Sequence, residues 1–186
     1  RRTRATIAKE KGLEPLANVI ALQMIHTPLE AEAEKYVNPE KEVHSAEEAV
    51  AGAKDILAEA VSDEADYRTK IRDLTVKKGH VTSTAKDPEA ESVYEMYYEF
   101  DEPVNKLAGH RILALNRGEN EKILNVKVEA PEEEILRYLE RKVITKDNPM
   151  TTPVLKEVVA DAYDRLIAPA IEREIRSSLT EMAEDG

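Results

Sequence analysis

A chain of 186 residues is long enough for one good-sized core or two small ones, and its complete lack of Cys excludes disulfides and thiolate metal centres. The formal net charge of −11 opposes tight nucleic-acid binding by the molecule as a whole. Charged residues reach 35% and aromatics only 4%, a balance compatible with disorder, yet the apolar residues recur at helical spacing, which argues for folded helices.

No apolar run approaches the roughly 20 residues that span a bilayer, and no secretory or transit segment is visible. The chain opens on Arg1 rather than Met, as expected for a piece of a longer protein. The expected location is the cytoplasm, with no membrane partner. Along the chain the charge falls in blocks. Residues 1–11 and 68–86 are basic, whereas 28–66 and 87–102 are acidic, and 87–102 holds no base at all. Such blocks suggest distinct basic and acidic faces; taken singly, each is more simply an ordinary solvated face.

Leu16, Ile20 and Met24, with Val19 and Ile25 beside them, predict a buried helix over 13–26 that ends before Thr27-Pro28. An acidic, Ala-rich short helix follows over 29–37, stopped by Asn38-Pro39. The clearest helix starts at Ser45, where Glu48 completes a capping box, and its stripe runs from Ala46 through Ala53 and Ile56 to Val61. Asp63 is placed to cap a second helix carrying Tyr67, Ile71 and Leu74, closed by Gly79. His80–Thr84 reads as a small wing or loop. Asp87-Pro88 restarts a helix whose buried stripe would be Val93, Met96, Tyr97 and Phe100. A short helical stretch is bracketed by Gly109 and Gly118. Leu124, Val126 and Val128 alternate with polar residues, which predicts one short strand, and a lone strand must pair, for instance with 80–84. Pro131 and three Glu start another helix. Thr152 with Pro153 starts a long last helix, kinked at Pro169.

The expected fold is therefore all-α: an elongated multi-helix array with a helix-turn-helix-like subdomain and at most one or two short strands. Residues 1–44 and 88–186 would form the two parts of a helical core, with 45–87 as the helix-turn-helix-like subdomain.

The chemistry-bearing patterns are mostly absent. Glycines stand nine or more residues apart, which leaves no phosphate-cradling loop. The His residues are scattered with no zinc spacing, and no nucleophile elbow occurs. No catalytic residue, metal or cofactor is expected, and the chain reads as a non-enzyme. The remaining candidates are cationic. Arg68, Lys70, Arg72, Lys77 and Lys78 on the second helix of the 45–87 segment could lie against a phosphate backbone, although two antiparallel helices are also the commonest way to bury an apolar stripe. Arg1, Arg2 and Arg4 form a basic end, a feature that is more often disordered and idle.

The run RRTRATIAKEKGLEPLA, Arg1–Ala17, resembles the N-terminal region of the Tex family of bacterial transcription accessory proteins. The run YYEFDEPVNKLAGHRILALNRGENEKILNVKV, Tyr97–Val128, resembles a signature stretch of the same family, centred on His110-Arg111 and Arg117-Gly118-Glu119. The last helix is similar to the one that precedes that family's ribonuclease-H-like domain. This resemblance implies a helical region with a helix-turn-helix element, followed in the longer protein by a ribonuclease-H-like domain, a helix-hairpin-helix pair and an OB-fold RNA-binding domain. It implies transcription regulation, with nucleic acid as partner mainly through domains outside this stretch, and RNA polymerase or other transcription proteins as further partners. The alternative is an acidic protein–protein scaffold docking the transcription machinery. His110, Arg111 and Arg117 could meet phosphate through the Arg fork, or satisfy helix ends and a neighbouring domain's carboxylates. Their position between apolar runs favours the second, structural role.

Overall fold

In the computed structural model, which describes residues 2–186, the chain is mostly helical with one three-stranded antiparallel sheet. It divides into two compact units. One holds the residues up to Tyr67 together with Leu136–Ile167; the other holds Arg68–Ile135 with Ala168–Gly186. The divisions fall at these points rather than at 44/45 and 87/88, so the 45–87 stretch is shared between the units.

The first unit is built around α4 (Ala46–Asp63), which packs against α1 (Arg4–Glu10), α2 (Glu14–Leu22), α3 (Leu29–Glu34) and α8 (Thr152–Asp161). Its core joins Ala8, Leu16 and Ile20 to Ala49, Ala53 and Leu155. Small residues on α4 let the neighbouring backbones come close. Gly52 marks the tightest point: a Cβ there would fall on the Leu13 Cδ1 methyl and 3.3 Å from that of Ala8. The α4 start follows the sequence expectation in half. Ser45 Oγ accepts from the Glu48 N–H at 3.1 Å, but the Glu48 carboxylate takes the N–H of His44, at 3.2 Å, rather than that of Ser45. Asp63 is the last residue of α4 and not a cap; α5 (Ala65–Lys78) begins after an extended Glu64. The basic N-terminal segment is ordered into α1, with Thr3 and Thr6 exchanging capping hydrogen bonds.

The helix expected over 13–26 is shorter, because Gln23 adopts a left-handed conformation (φ 57°) that ends α2 and leaves Met24 59% exposed. Buried Gln23 accepts the N–H groups of Thr145 and Lys146, and its amide donates to the Val143 carbonyl at 3.0 Å. These bonds fix a residue in a conformation that a side chain otherwise avoids.

The second unit carries the sheet, and here the expectation of at most two strands is corrected. β1 (His80–Ala85), β2 (Glu99–Pro103) and β3 (Leu124–Glu129) are ordered β2-β1-β3. The expected wing is the central strand, with Ser83 opposite Phe100 on one side and Val126 on the other. The helix expected after Pro88 is also overturned. Asp87 accepts the Glu89 N–H and closes a tight turn, Glu95–Tyr97 forms a single 3-10 turn, and Val93 and Met96 are exposed. The apolar residues of this segment fit two periods, and the strand period prevails: Phe100 points inward between the exposed Glu99 and Asp101. α6 (Gly109–Asn120) and α9 (Ala168–Asp185) pack on each other and on β3.

α7 (Glu132–Val143) has acids in its first turn and bases in its last, as the helix dipole favours. Where the sequence predicts a kink at Pro169, the chain takes a π-helical turn over Ala162–Ile167, just ahead of the proline. Pro169 offers no N–H and its ring clashes with the carbonyl four residues back, and a widened turn absorbs both defects.

Candidate functional site

Of the basic candidates singled out from the sequence, Arg2, Arg72 and Lys78 are engaged with carboxylates of their own unit. At the N-terminus, Arg1 lies outside the described residues. Arg2 pairs with Glu10 at 2.7 Å, and exposed Arg4 adds positive potential at Asp55 and Asp161.

On α5, Arg72 reaches Glu174 of α9 at 3.0 Å and Lys78 reaches Glu134 at 2.8 Å. Arg68 is half-buried and is not free. Lys70 and Lys77 are exposed. At about 100° per residue they share a stripe with Asp66 and Asp73, in the order acid, base, acid, base. Arg68 and Arg72 lie on the opposite flank of the helix. The five residues therefore do not converge on one phosphate-sized surface, and the alternating stripe has the pattern of a solvated helix face.

The signature residues sit on α6. Arg111 lies 5.8 Å from the centroid of the Phe100 ring, with its Nε 3.9 Å from the Glu102 carboxylate. Both partners belong to β2 in the same unit, so the carboxylate that Arg111 meets is local. Arg111 ties α6 to the strand that leads into it. Gly118 is buried on the same helix, and a Cβ there would strike the Leu124 side chain and come within 3.3 Å of the Tyr94 ring. Tyr94 donates to Glu121 at 2.6 Å; that hydrogen bond, then burial, pushes its hydroxyl pKa upward, against a small opposing pull from Arg117. His110 and Arg117 are exposed. Much of the signature thus records the packing of α6 on the sheet.

Three polar clusters escaped the sequence reading, and each has at least one member far away in the chain. In the first unit, Arg165 in the π turn holds Asp161 through both Nε and a terminal nitrogen, at 3.1 and 2.9 Å, and stands 3.8 Å from Asp55. The hydrogen bond from Arg165 draws the Asp161 pKa down, whereas burial pushes that of Asp55 up despite the same guanidinium. The second cluster is the Gln23 and Asn148 contact set. The third, in the second unit, has Arg176 bridging Glu119 at 2.5 Å and Asn116 at 3.0 Å.

The second unit also has an apolar groove of about 520 Å³, lined by Val76, Val104, Leu107, Ile175, Leu179 and Met182, with the Arg72–Glu174 pair beside it. Among the described residues no His, Asp or Glu cluster could hold a metal, and no helix is long and apolar enough to cross a membrane.

A family model described as Tex central region-like matches residues 26–186. Among curated relatives, the uncharacterized protein YdcI of Bacillus subtilis is 48% identical over 188 residues, covering all of this chain and 26% of its own length. Protein tex of Bordetella pertussis is 40% identical over 131 residues, 69% of this chain and 16% of its own. The transcriptional accessory protein Tex of Neisseria gonorrhoeae is 35% identical over 129 residues, 68% of this chain and 16% of its own. The chain thus spans about a quarter or less of the length of these relatives. With the signature stretch around Arg111 and Gly118 lying inside the matched residues, the chain belongs to the Tex family.

Proposed function

We propose that this chain is the non-catalytic helical scaffold of a Tex-like, cytoplasmic transcription accessory protein. It supports nucleic-acid binding and regulation of transcription, mainly by positioning parts of the longer protein that lie outside these residues. Family membership supports the link to transcription, since one relative is named a transcriptional accessory protein. The observation that favours a scaffold over a tight nucleic-acid binder is the fate of the expected phosphate contacts. Arg2, Arg72 and Lys78 are paired with carboxylates, and Lys70 and Lys77 alternate with acids. A surface already neutralised by its own chain releases few counterions from a polyanion.

The test is a titration of this chain, and of the full-length protein, against labelled duplex DNA and single-stranded RNA at low and moderate salt. The scaffold reading expects strong binding by the full-length protein and much weaker binding by this chain. Equal affinity of the two would overturn it.

The second reading, a protein-docking module for RNA polymerase or other transcription proteins, is favoured by the apolar groove of the second unit, where Met182 is 60% exposed. A Met182→Asp change that abolished association with RNA polymerase while sparing nucleic-acid binding would decide for it.

A further inference from the structure

The second half of α7 carries a concentration of cations that is not spent inside the molecule. Arg137 and Arg141 are one helical turn apart and face away from the buried Ile135 and Leu139. Lys142 follows on the flank, and Lys146 lies just beyond the helix; all four are exposed. Among the described residues none of them has a carboxylate within ion-pair reach, in a chain whose acids outnumber its bases 38 to 27. Complementing the helix dipole explains Arg141 and Lys142 in the last turn. It does not explain Arg137, in the middle of the helix, or Lys146, past its end.

An aromatic accompanies the cations. Half-buried Tyr138 packs edge-on against Tyr67, with ring centroids 6.2 Å apart, and Lys142 Nζ stands over it at 5.9 Å from the centroid. An exposed lysine over a tyrosine is a weaker contact than a stacked base, so a base can take that place while the ammonium moves to a phosphate. Acids border the strip. Burial, then Tyr67, pushes the Tyr138 pKa upward, and Asp66 and Glu64 add to that push.

We propose that Arg137 and Arg141 on one stripe of α7, with Tyr138 and Lys142 about 100° further round the helix and Lys146 just beyond its end, form a contact strip for single-stranded nucleic acid. This rests on the scaffold reading and adds a surface to it. Bidentate guanidinium groups suit phosphate, and the bordering acids favour one narrow strand over a duplex, whose second strand would meet them. The strip was not among the sequence candidates because the net charge of its run is diluted by Glu140 and Asp147.

The test is fluorescence anisotropy of this chain with short labelled single-stranded RNA of mixed sequence, across a salt series, with duplex of the same sequence as comparison. R137E/R141E is expected to lose about tenfold or more in affinity and to flatten the log–log salt dependence by about 1.4, given roughly 0.7 per phosphate contact on single strands. K70E/K77E, an equal charge change on α5, is expected to stay close to wild type. R137Q/R141Q is expected to bind at an intermediate level with an unchanged thermal midpoint, which separates lost contact from lost fold. Equal losses in the α5 and α7 variants, unchanged binding by R137E/R141E, tighter binding of duplex, or no binding by the wild-type chain would each overturn the strip. The last of these would leave the scaffold reading standing, because that reading fails only if the full-length protein binds no better than this chain.

Discussion

Asn148 donates its side-chain amide to the carbonyls of Gln23 and Ile25, at 3.1 and 2.9 Å, and so fastens the turn before α8 to the end of α2 across some 120 residues of sequence. Both side chains are almost fully buried, Gln23 at 5% and Asn148 at 8% exposure. Replacing Asn148 by Ala leaves two carbonyls without their donor, at a cost of about 1–3 kcal/mol each where water does not reach them. Asn148→Ala is therefore expected to lower the urea midpoint of the first unit, and Gln23→Ala to do so as well. Because the two side chains serve one joint, the double variant is expected to cost less than the sum of the singles. Additive losses in urea unfolding would show that they act separately.

This joint marks the boundary of what sequence reading reached. The α4 stripe, the Ser45 cap and the strand at 124–129 were legible because each depends on neighbours within about one or two turns. The end of α2 was not, since Gln23 turns left-handed only because the residues after α7 supply its hydrogen bonds. The segment 93–100 failed for a different reason: Val93, Met96, Tyr97 and Phe100 satisfy a helical spacing, but pairing with β1 draws the chain from Glu99 onward, Phe100 included, into a strand. Among the candidate site residues, charge sign was legible but partner was not. Arg72 and Lys78 looked free in sequence and find Glu174 and Glu134, 102 and 56 residues away.

The Arg165 cluster predicts opposite pH behaviour for its two acids. The folded pKa of Asp161 is lowered, first by the Arg165 hydrogen bond, so its contribution is present above the ordinary Asp value of 3.8 and lost as pH falls through the lower folded value. The folded pKa of Asp55 is raised, chiefly by burial, so its ionisation opposes folding once pH rises through the raised value. At neutral pH, Asp161→Asn is expected to lower the thermal midpoint, and Asp55→Asn to leave it unchanged or raise it. Toward about pH 3 the Asp161 difference should shrink. Melts of the two variants across that range check the sign; a larger loss from Asp55→Asn than from Asp161→Asn at neutral pH would contradict it.

Gly118 offers a test of packing within the family signature. A methyl there meets Leu124, which is fully buried, and the Tyr94 ring, so neither neighbour can retreat toward solvent. Gly118→Ala should gain helix propensity of about 1 kcal/mol, yet overpacking of this kind costs about 1–3 kcal/mol, and the balance is expected to be destabilising. Gly118→Val should be worse. Chemical denaturation of the second unit would read both, and an alanine variant more stable than wild type would show that α6 can shift away from β3.

Arg111 separates a structural signature from a binding one. It rests on the Phe100 ring and near Glu102, with about a third of its side chain exposed, so solvent screens the ion pair and the loss on Arg111→Ala is expected to be about 0.5–1 kcal/mol. Its neighbour His110 is exposed and bears no part of that packing, so His110→Ala should leave stability unchanged. Because the Arg111 guanidinium is occupied by partners in its own unit, nucleic-acid affinity of the full-length protein should hardly change in either variant. Measuring the thermal midpoint and the affinity on the same preparations decides the matter: lost affinity with an unchanged midpoint in Arg111→Ala would move this residue from the sheet packing to the nucleic-acid surface.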